Sequence, residues 1–151
     1  MIDPKLTFQQ MALEDISVVM QLENEIYQFP WTDRIFKDCI RVGYDCWLAY
    51  LGNTVVAHAV ISIAAGESHI LNLTVTSNHQ GKGIGKKFIQ FLLNIARNKQ
   101  AQIMMLEVRP SNIRAINCYS AAGFNEIGCR KDYYPAPNGK EDALLFAKQI
   151  P

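Results

Sequence analysis

The stretch Leu71-Asn72-Leu73-Thr74-Val75-Thr76-Ser77-Asn78-His79-Gln80-Gly81-Lys82-Gly83-Ile84-Gly85-Lys86-Lys87 carries the reading of the fold. Its first five residues alternate apolar and polar, the period of a strand with one buried face. Beyond it, Ile84, Phe88, Leu92 and Ile95 recur at helical spacing, and Ile89, Leu93 and Ala96 widen the stripe enough to cover a sheet. The element between them is therefore a glycine-rich loop joining a strand to a helix. Glycines at alternate positions let backbone N–H groups converge without Cβ clashes, and a helix start adds unsatisfied donors and a positive dipole end. Lys82, Lys86 and Lys87 add charge, so the loop reads as a cradle for an anion such as a phosphate. Gly-x-Gly also marks ordinary tight turns, and it is the flanking strand and helix that give the loop weight here.

Downstream, Gln102 to Arg109 is an apolar run that reads as a central strand buried on both faces, where Glu107 is out of place on packing grounds. Pro110 halts it, Ser111 can cap a helix from Asn112 to Ala122, and Gly123 suits the left-handed position that closes a helix. A strand from Phe124 to Arg130, a long proline and glycine loop from Asp132 to Glu141 and a last strand from Asp142 to Lys148 complete the chain. Upstream, Leu6 to Gln10 reads as a strand and Leu13 to Tyr27 as a helix with Ile16, Val19, Met20, Leu22 and Ile26 on its apolar face. Phe29-Pro30-Trp31 is a bend, and Thr32 can cap a second helix that Gly43 ends. Strands from Tyr44 to Leu51 and Val55 to Ile63 meet at Gly52-Asn53-Thr54, and a third runs from about His69 to Val75. Strands in a run followed by strands alternating with helices predict an α/β fold with a mixed sheet flanked by helices on both faces.

At 151 residues the chain suits one domain, 1–151, with a substantial core. A net charge of +1 argues against a general nucleic-acid coat, which needs a strong basic excess. Cys39, Cys46, Cys118 and Cys129 form no C-x-x-C pair and have no histidines at zinc spacing, so neither a metal nor a disulfide framework is expected; reduced, mostly buried thiols are. Met1 to Lys5 shows no leader pattern and no window reaches membrane-span length, which makes the cytoplasm the expected location.

Gln80-x-x-Gly83-x-Gly85 between a strand and a helix resembles the pyrophosphate-binding motif of the GNAT acetyltransferase superfamily. Leu106-Glu107-Val108-Arg109, Ser111-Asn112, Ala115-Ile116-x-x-Tyr119 and Gly123-Phe124 resemble its next two elements in order. With Phe29-Pro30-Trp31-Thr32 and Asp132-Tyr133-Tyr134-Pro135, the chain resembles over essentially its whole length the RimI-like branch, the bacterial ribosomal-protein-alanine N-acetyltransferases. Relatives usually carry a basic residue at both positions after the loop glutamine; here Gly81 stands at the first.

The resemblance implies a twisted mixed sheet of the GNAT type and transfer of an acetyl group from acetyl-CoA to a ribosomal-protein N-terminal peptide, without a metal and without direct contact to nucleic acid or membrane. Gln80, Gly81, Lys82, Gly83, Ile84, Gly85 and Lys86 would hold the pyrophosphate, the backbone of Leu73, Thr74 and Val75 the pantetheine arm, and Asn112 would be a further cofactor contact. An α-amino group, with a pKa of about 8, must lose a proton before it attacks. Glu107 in an apolar neighbourhood is a candidate base, acting directly or through water; as a strand-end residue it could equally pair with Arg109 on the same face. Tyr119, about two turns beyond Asn112, could protonate a leaving thiolate or simply pack on the sheet. Both positions match the family's general base and general acid. Trp31, Tyr133 and Tyr134 lie on predicted loops and, by the resemblance, could wall a peptide groove. His58 and His69 lack partners at ligand spacing and read as structural; His79, bordering the loop, could contact phosphate but reads first as solvent-exposed. A covalent route through Cys118 has no adjacent base. A small amine or a lysine side chain as acceptor, and a cofactor-sensing module without turnover, are the alternatives.

Overall fold

The computed structural model describes residues 5–151. The opening Met1–Pro4, most of the segment in which no leader pattern is seen, lies outside the described residues. Among the described residues seven strands, β1 (Leu6–Gln10), β2 (Asp45–Leu51), β3 (Thr54–Ala64), β4 (Glu67–Val75), β5 (Ile103–Val108), β6 (Asn125–Ala136) and β7 (Gly139–Gln149), form one sheet in the order β1-β2-β3-β4-β5-β7-β6. β4 and β5 are parallel; β1–β2, β2–β3, β5–β7 and β6–β7 are antiparallel, so the sheet is mixed as its strand pattern predicts. Four helices accompany it: α1 (Ile16–Ile26), entered through a 3-10 turn at Leu13–Asp15, α2 (Asp33–Arg41), α3 (Ile84–Asn98) and α4 (Ile113–Ala121). Two compact units divide the chain, residues 1–62 with 72–88 and residues 63–71 with 89–151.

In the first unit the helices lie on opposite faces of the sheet. Leu48 pairs with His58, and Ala49 pairs with both Phe8 and Ala57, so these two sets face opposite sides. Phe36 of α2 packs edge-on to His58 at 5.4 Å, while Phe88 of α3 packs against Phe8 at 5.1 Å. β3 between them is buried without a break from Val56 to Ile61. Each fully buried side chain such as Phe36, Leu48, Ile61 or Phe88 contributes about 1.5–3 kcal/mol. Thr32 caps α2 as its position suggests, accepting from Ile35 N–H at 3.3 Å.

In the second unit β5 has β4 and β7 on its two edges, but it is not buried on both faces. Met104, Leu106 and Val108 are buried, and Ile103, Met105 and Glu107 are half-buried; Glu107 therefore lies on the wetter face. The cap of α4 is Asn112, not Ser111: its Oδ1 accepts from Ala115 N–H at 3.2 Å. Gly123, at φ +95, closes that helix, with Phe124 N–H reaching back to the Tyr119 carbonyl at 3.0 Å. Residues 132–141 are not a loop. β6 runs through Tyr133, Tyr134 and Pro135 to Ala136, with a bulge between Arg130 and Tyr134, and β7 starts at Gly139. The β3–β4 connection is also tighter than expected, a two-residue turn at Ala65 and Gly66 with φ of 53° and 80°, so that β4 begins at Glu67.

Candidate active site

The glycine loop leaves β4 at Thr76 and enters α3 at Ile84. Its entrance is tied down by Glu25 of α1, which accepts from Ser77 N–H at 2.9 Å and from Thr76 Oγ1 at 3.1 Å. The Ser77 hydrogen bonds hold the Glu25 carboxyl below the usual carboxylate range. Gln80 folds back, its Nε2 donating to the Val75 carbonyl at 2.9 Å, and Tyr27 donates its phenol to the Leu73 carbonyl at 3.0 Å. These two carbonyls of the expected pantetheine strand thus already accept protein hydrogen bonds, which leaves its N–H groups as the candidates for an arm of a ligand. Gly81 and Gly83 take φ of 77° and 81°, and a Cβ built on either meets nothing within 4 Å. The loop is therefore open above its glycines, with the first N–H groups of α3 outside the helical ladder, and these residues fit a diphosphate. Gly85 is already helical. His79 is not exposed: it is half-buried, and its covered Nδ1 has no hydrogen-bond partner among the described residues.

Glu23 on α1 was not singled out by sequence reasoning. It is 1% exposed and accepts from Trp31 N–H at 3.0 Å and Asn72 Nδ2 at 3.2 Å, with Thr74 Oγ1 at 3.4 Å. Burial pushes its carboxyl up. His58, fully buried, has Nε2 3.5 Å from Glu23 Oε1, and burial pushes it down to about 3, so it is neutral. Trp31 is positioned by this carboxylate and by ring contact with Phe36 at 5.2 Å. The available signal was a charged residue three or four positions from Val19 and Ile26, on the apolar stripe of α1.

In the second unit Glu107 meets partners on neighbouring strands. Its Oε2 lies 2.5 Å from Nε2 of His69 on β4, and its Oε1 lies 3.7 Å from Nε of Arg130 on β6. His69 therefore has a partner, contrary to its reading as an unpartnered strand residue. Arg109 donates to the Pro135 carbonyl at 2.7 Å and to Glu141 at 3.2 Å, and lies 4.4 Å over the Tyr134 ring. Glu141 also accepts from Ser111 N–H at 2.9 Å, and the Ser111 bonds, with Arg109, hold its carboxyl low. Tyr119 is buried, its ring 5.8 Å from Phe124. Tyr133 and Tyr134 stand on β6 rather than on a loop, their rings 4.9 Å apart, with Tyr133 exposed. An open groove of about 800 Å³ lined by Gly66, Glu67, Gln102, Ile103 and Lys148 lies at the other end of β5, roughly 13 Å from Glu107 at ~3.3 Å per residue.

None of the four cysteines is in a disulfide; Cys39 and Cys46 are buried, Cys118 is half-buried and Cys129 is exposed, so the thiols are not mostly buried. Burial pushes the Cys46 thiol up to about 12, which leaves it unreactive. Among the described residues no group of three or more His, Cys, Asp or Glu is placed to hold a metal ion, and no helix is long and apolar enough to cross a membrane.

Residues 14–124 match the model of the acetyltransferase (GNAT) family. The [ribosomal protein bS18]-alanine N-acetyltransferase of Escherichia coli K12 is 28% identical over 144 residues, 95% of this chain and 97% of the relative. The enzyme of the same name from Haemophilus influenzae is 30% identical over 134 residues, 88% and 91% of the two chains. The crystal structure of the ribosomal-protein-S18-alanine N-acetyltransferase from Escherichia coli superposes with a TM-score of 0.89 at 27% identity, covering 97% of this chain and 94% of the other. With a family match over residues 14–124 and relatives matched along nearly their full length, the chain belongs to the GNAT family of acetyltransferase enzymes.

Proposed function

We propose that the chain is a single-domain, acetyl-CoA-dependent N-α-acetyltransferase whose acceptor is the N-terminal alanine of ribosomal protein bS18. The observation that carries this is the near full-length match to bacterial enzymes named for that acceptor, joined to a glycine loop open to a diphosphate. The family match draws on residues of both units, which supports one functional domain. Gln80, Gly81, Lys82, Gly83, Ile84, Gly85 and Lys86 would hold the diphosphate and the N–H groups of Leu73–Val75 the pantetheine arm. Asn112 has committed Oδ1 to its helix, so its cofactor contact falls to Nδ2. Bound acetyl-CoA supplies the activated acetyl carbon and a thiol leaving group.

Glu107 would take a proton from the acceptor ammonium and free the nitrogen lone pair to bond the acetyl carbon; as the carbon–sulfur bond breaks, the Tyr119 phenol would protonate the departing sulfur and recover a proton from the second N–H that the nitrogen sheds on becoming an amide. Preorganised backbone N–H groups near Val75 polarise the thioester carbonyl. Trp31, Tyr133 and Tyr134 wall the acceptor peptide. Steady-state kinetics with the bS18 N-terminal peptide tests the reading: Glu107→Gln and Tyr119→Phe each lower kcat while the KM for acetyl-CoA stays near wild type. Wild-type turnover in both variants removes the mechanism. A panel in which a free amine or a lysine peptide outruns the alanine peptide moves the acceptor assignment.

A further inference from the structure

We propose that His69 relays to solvent the proton that Glu107 takes from the acceptor amine, an inference that rests on the reading of Glu107 as the base. The observation is the His69–Glu107 contact, Nε2 to Oε2 at 2.5 Å, reached from two different strands. The parallel register sets His69 beside Met105, so that Glu107, two residues on, shares its face. The carboxylate is 10% exposed and the imidazole 27%, which makes His69 the more solvent-exposed partner of the pair. A carboxylate alone is a weak acceptor for a proton from an amine of about 8, whereas an imidazole, at about 6.5 in water, is far better matched.

The other charged and titratable groups facing Glu107 are few. Arg130 on β6 lies 3.7 Å from Oε1 and 5.8 Å from the Tyr133 ring. Arg109, two residues along β5, is engaged by Glu141 and Tyr134. Glu67, two residues before His69 on β4, lies beside Ile103. On β7 the residue opposite Glu107 is Leu145. Arg130, 3.7 Å from one carboxylate oxygen, cannot accept a proton, whereas His69 can carry one onward.

The step balances as follows. The ammonium N–H bond breaks and its proton goes to a Glu107 oxygen, giving a neutral amine and a neutral carboxylic acid. Glu107 then loses a proton to His69 Nε2, restoring the carboxylate and forming an imidazolium. Nδ1–H then passes a proton to water, and exchange with solvent returns the ring to the Nδ1–H tautomer, with Nε2 again able to accept. His69 acts through Glu107 and is a positioning residue, not a catalytic one.

His69→Gln separates relay from support, because a glutamine amide can hydrogen-bond the carboxylate but cannot accept the proton. In full-length protein with the bS18 peptide, this variant is expected to lose about 10- to 100-fold in kcat with the KM for acetyl-CoA within about twofold. Added imidazole should restore much of the rate of His69→Ala, a second variant that does not depend on glutamine fitting. Wild-type kcat in His69→Gln, or no imidazole rescue of His69→Ala, overturns the relay while leaving Glu107 as base. Wild-type turnover in Glu107→Gln overturns the reading beneath it.

Discussion

The protein contains two glutamate–histidine pairs built from similar parts and set in opposite surroundings. Glu23 and His58 are sealed, at 1% and 0% exposure, with every donor that meets the carboxylate supplied by the protein. Glu107 and His69 touch at 2.5 Å at 10% and 27% exposure, with an exposed arginine alongside. In the first pair burial raises the acid and lowers the base, so both favour the neutral form and neither has a route to exchange a proton quickly. The second pair keeps such a route. Burial, more than residue type, separates a carboxylate that organises a loop from one suited to chemistry.

Breaking the open pair should have the largest effect: Glu107→Gln is expected to lower kcat by about 10²- to 10⁴-fold with little change in the unfolding midpoint, read by kinetics beside urea denaturation. The sealed pair should show itself in acid. An unfolded histidine takes up its proton near 6.5, but folded His58 does so only at about 3, so the unfolded state binds more protons between those values. Stability then falls as pH drops through that window, by up to about 5 kcal/mol. The raised Glu23 carboxyl offsets part of this, since the folded state protonates it at a higher pH than the unfolded chain does. Urea midpoints at pH 7, 5 and 4 should fall in the wild type and flatten in His58→Leu; parallel curves would break the comparison.

A smaller loss, about 1–3 kcal/mol, is expected for Glu23→Gln, where a new amide meets N–H donors that a carboxylate had satisfied. This variant should lower stability more than it lowers kcat, the reverse of Glu107→Gln. The smallest effect belongs to Arg130→Ala: its side chain is 58% exposed at 3.7 Å from Glu107, and the pair contributes less than about 1 kcal/mol. Thermal melts within a few degrees of wild type check this.

The glycine loop, the helix stripes and most strands were legible because each rests on local periodicity and local turn chemistry. Pro135, Pro137 and Gly139 hid the last hairpin. They read as breakers, but β6 is the edge strand of the sheet, where a proline costs no ladder hydrogen bond on its outer side. The candidate base was legible as a misfit in an apolar strand; its partner was not, because His69 reaches Glu107 only through a parallel register set 38 residues apart. Glu23 was hidden by its neighbours on α1, where the apolar stripe around it dominated the pattern.

Glu141 receives Ser111 N–H and Arg109 at once, while Arg109 also grips the Pro135 carbonyl. The hairpin bearing Tyr133 and Tyr134 is thereby clamped to the corner where β5 turns into α4. Exchanging that hairpin for one of another length, as an engineer seeking new acceptors would try first, would release the clamp. A workable transplant must carry, beside the aromatic pair, a glutamate placed to meet the arginine that stays behind.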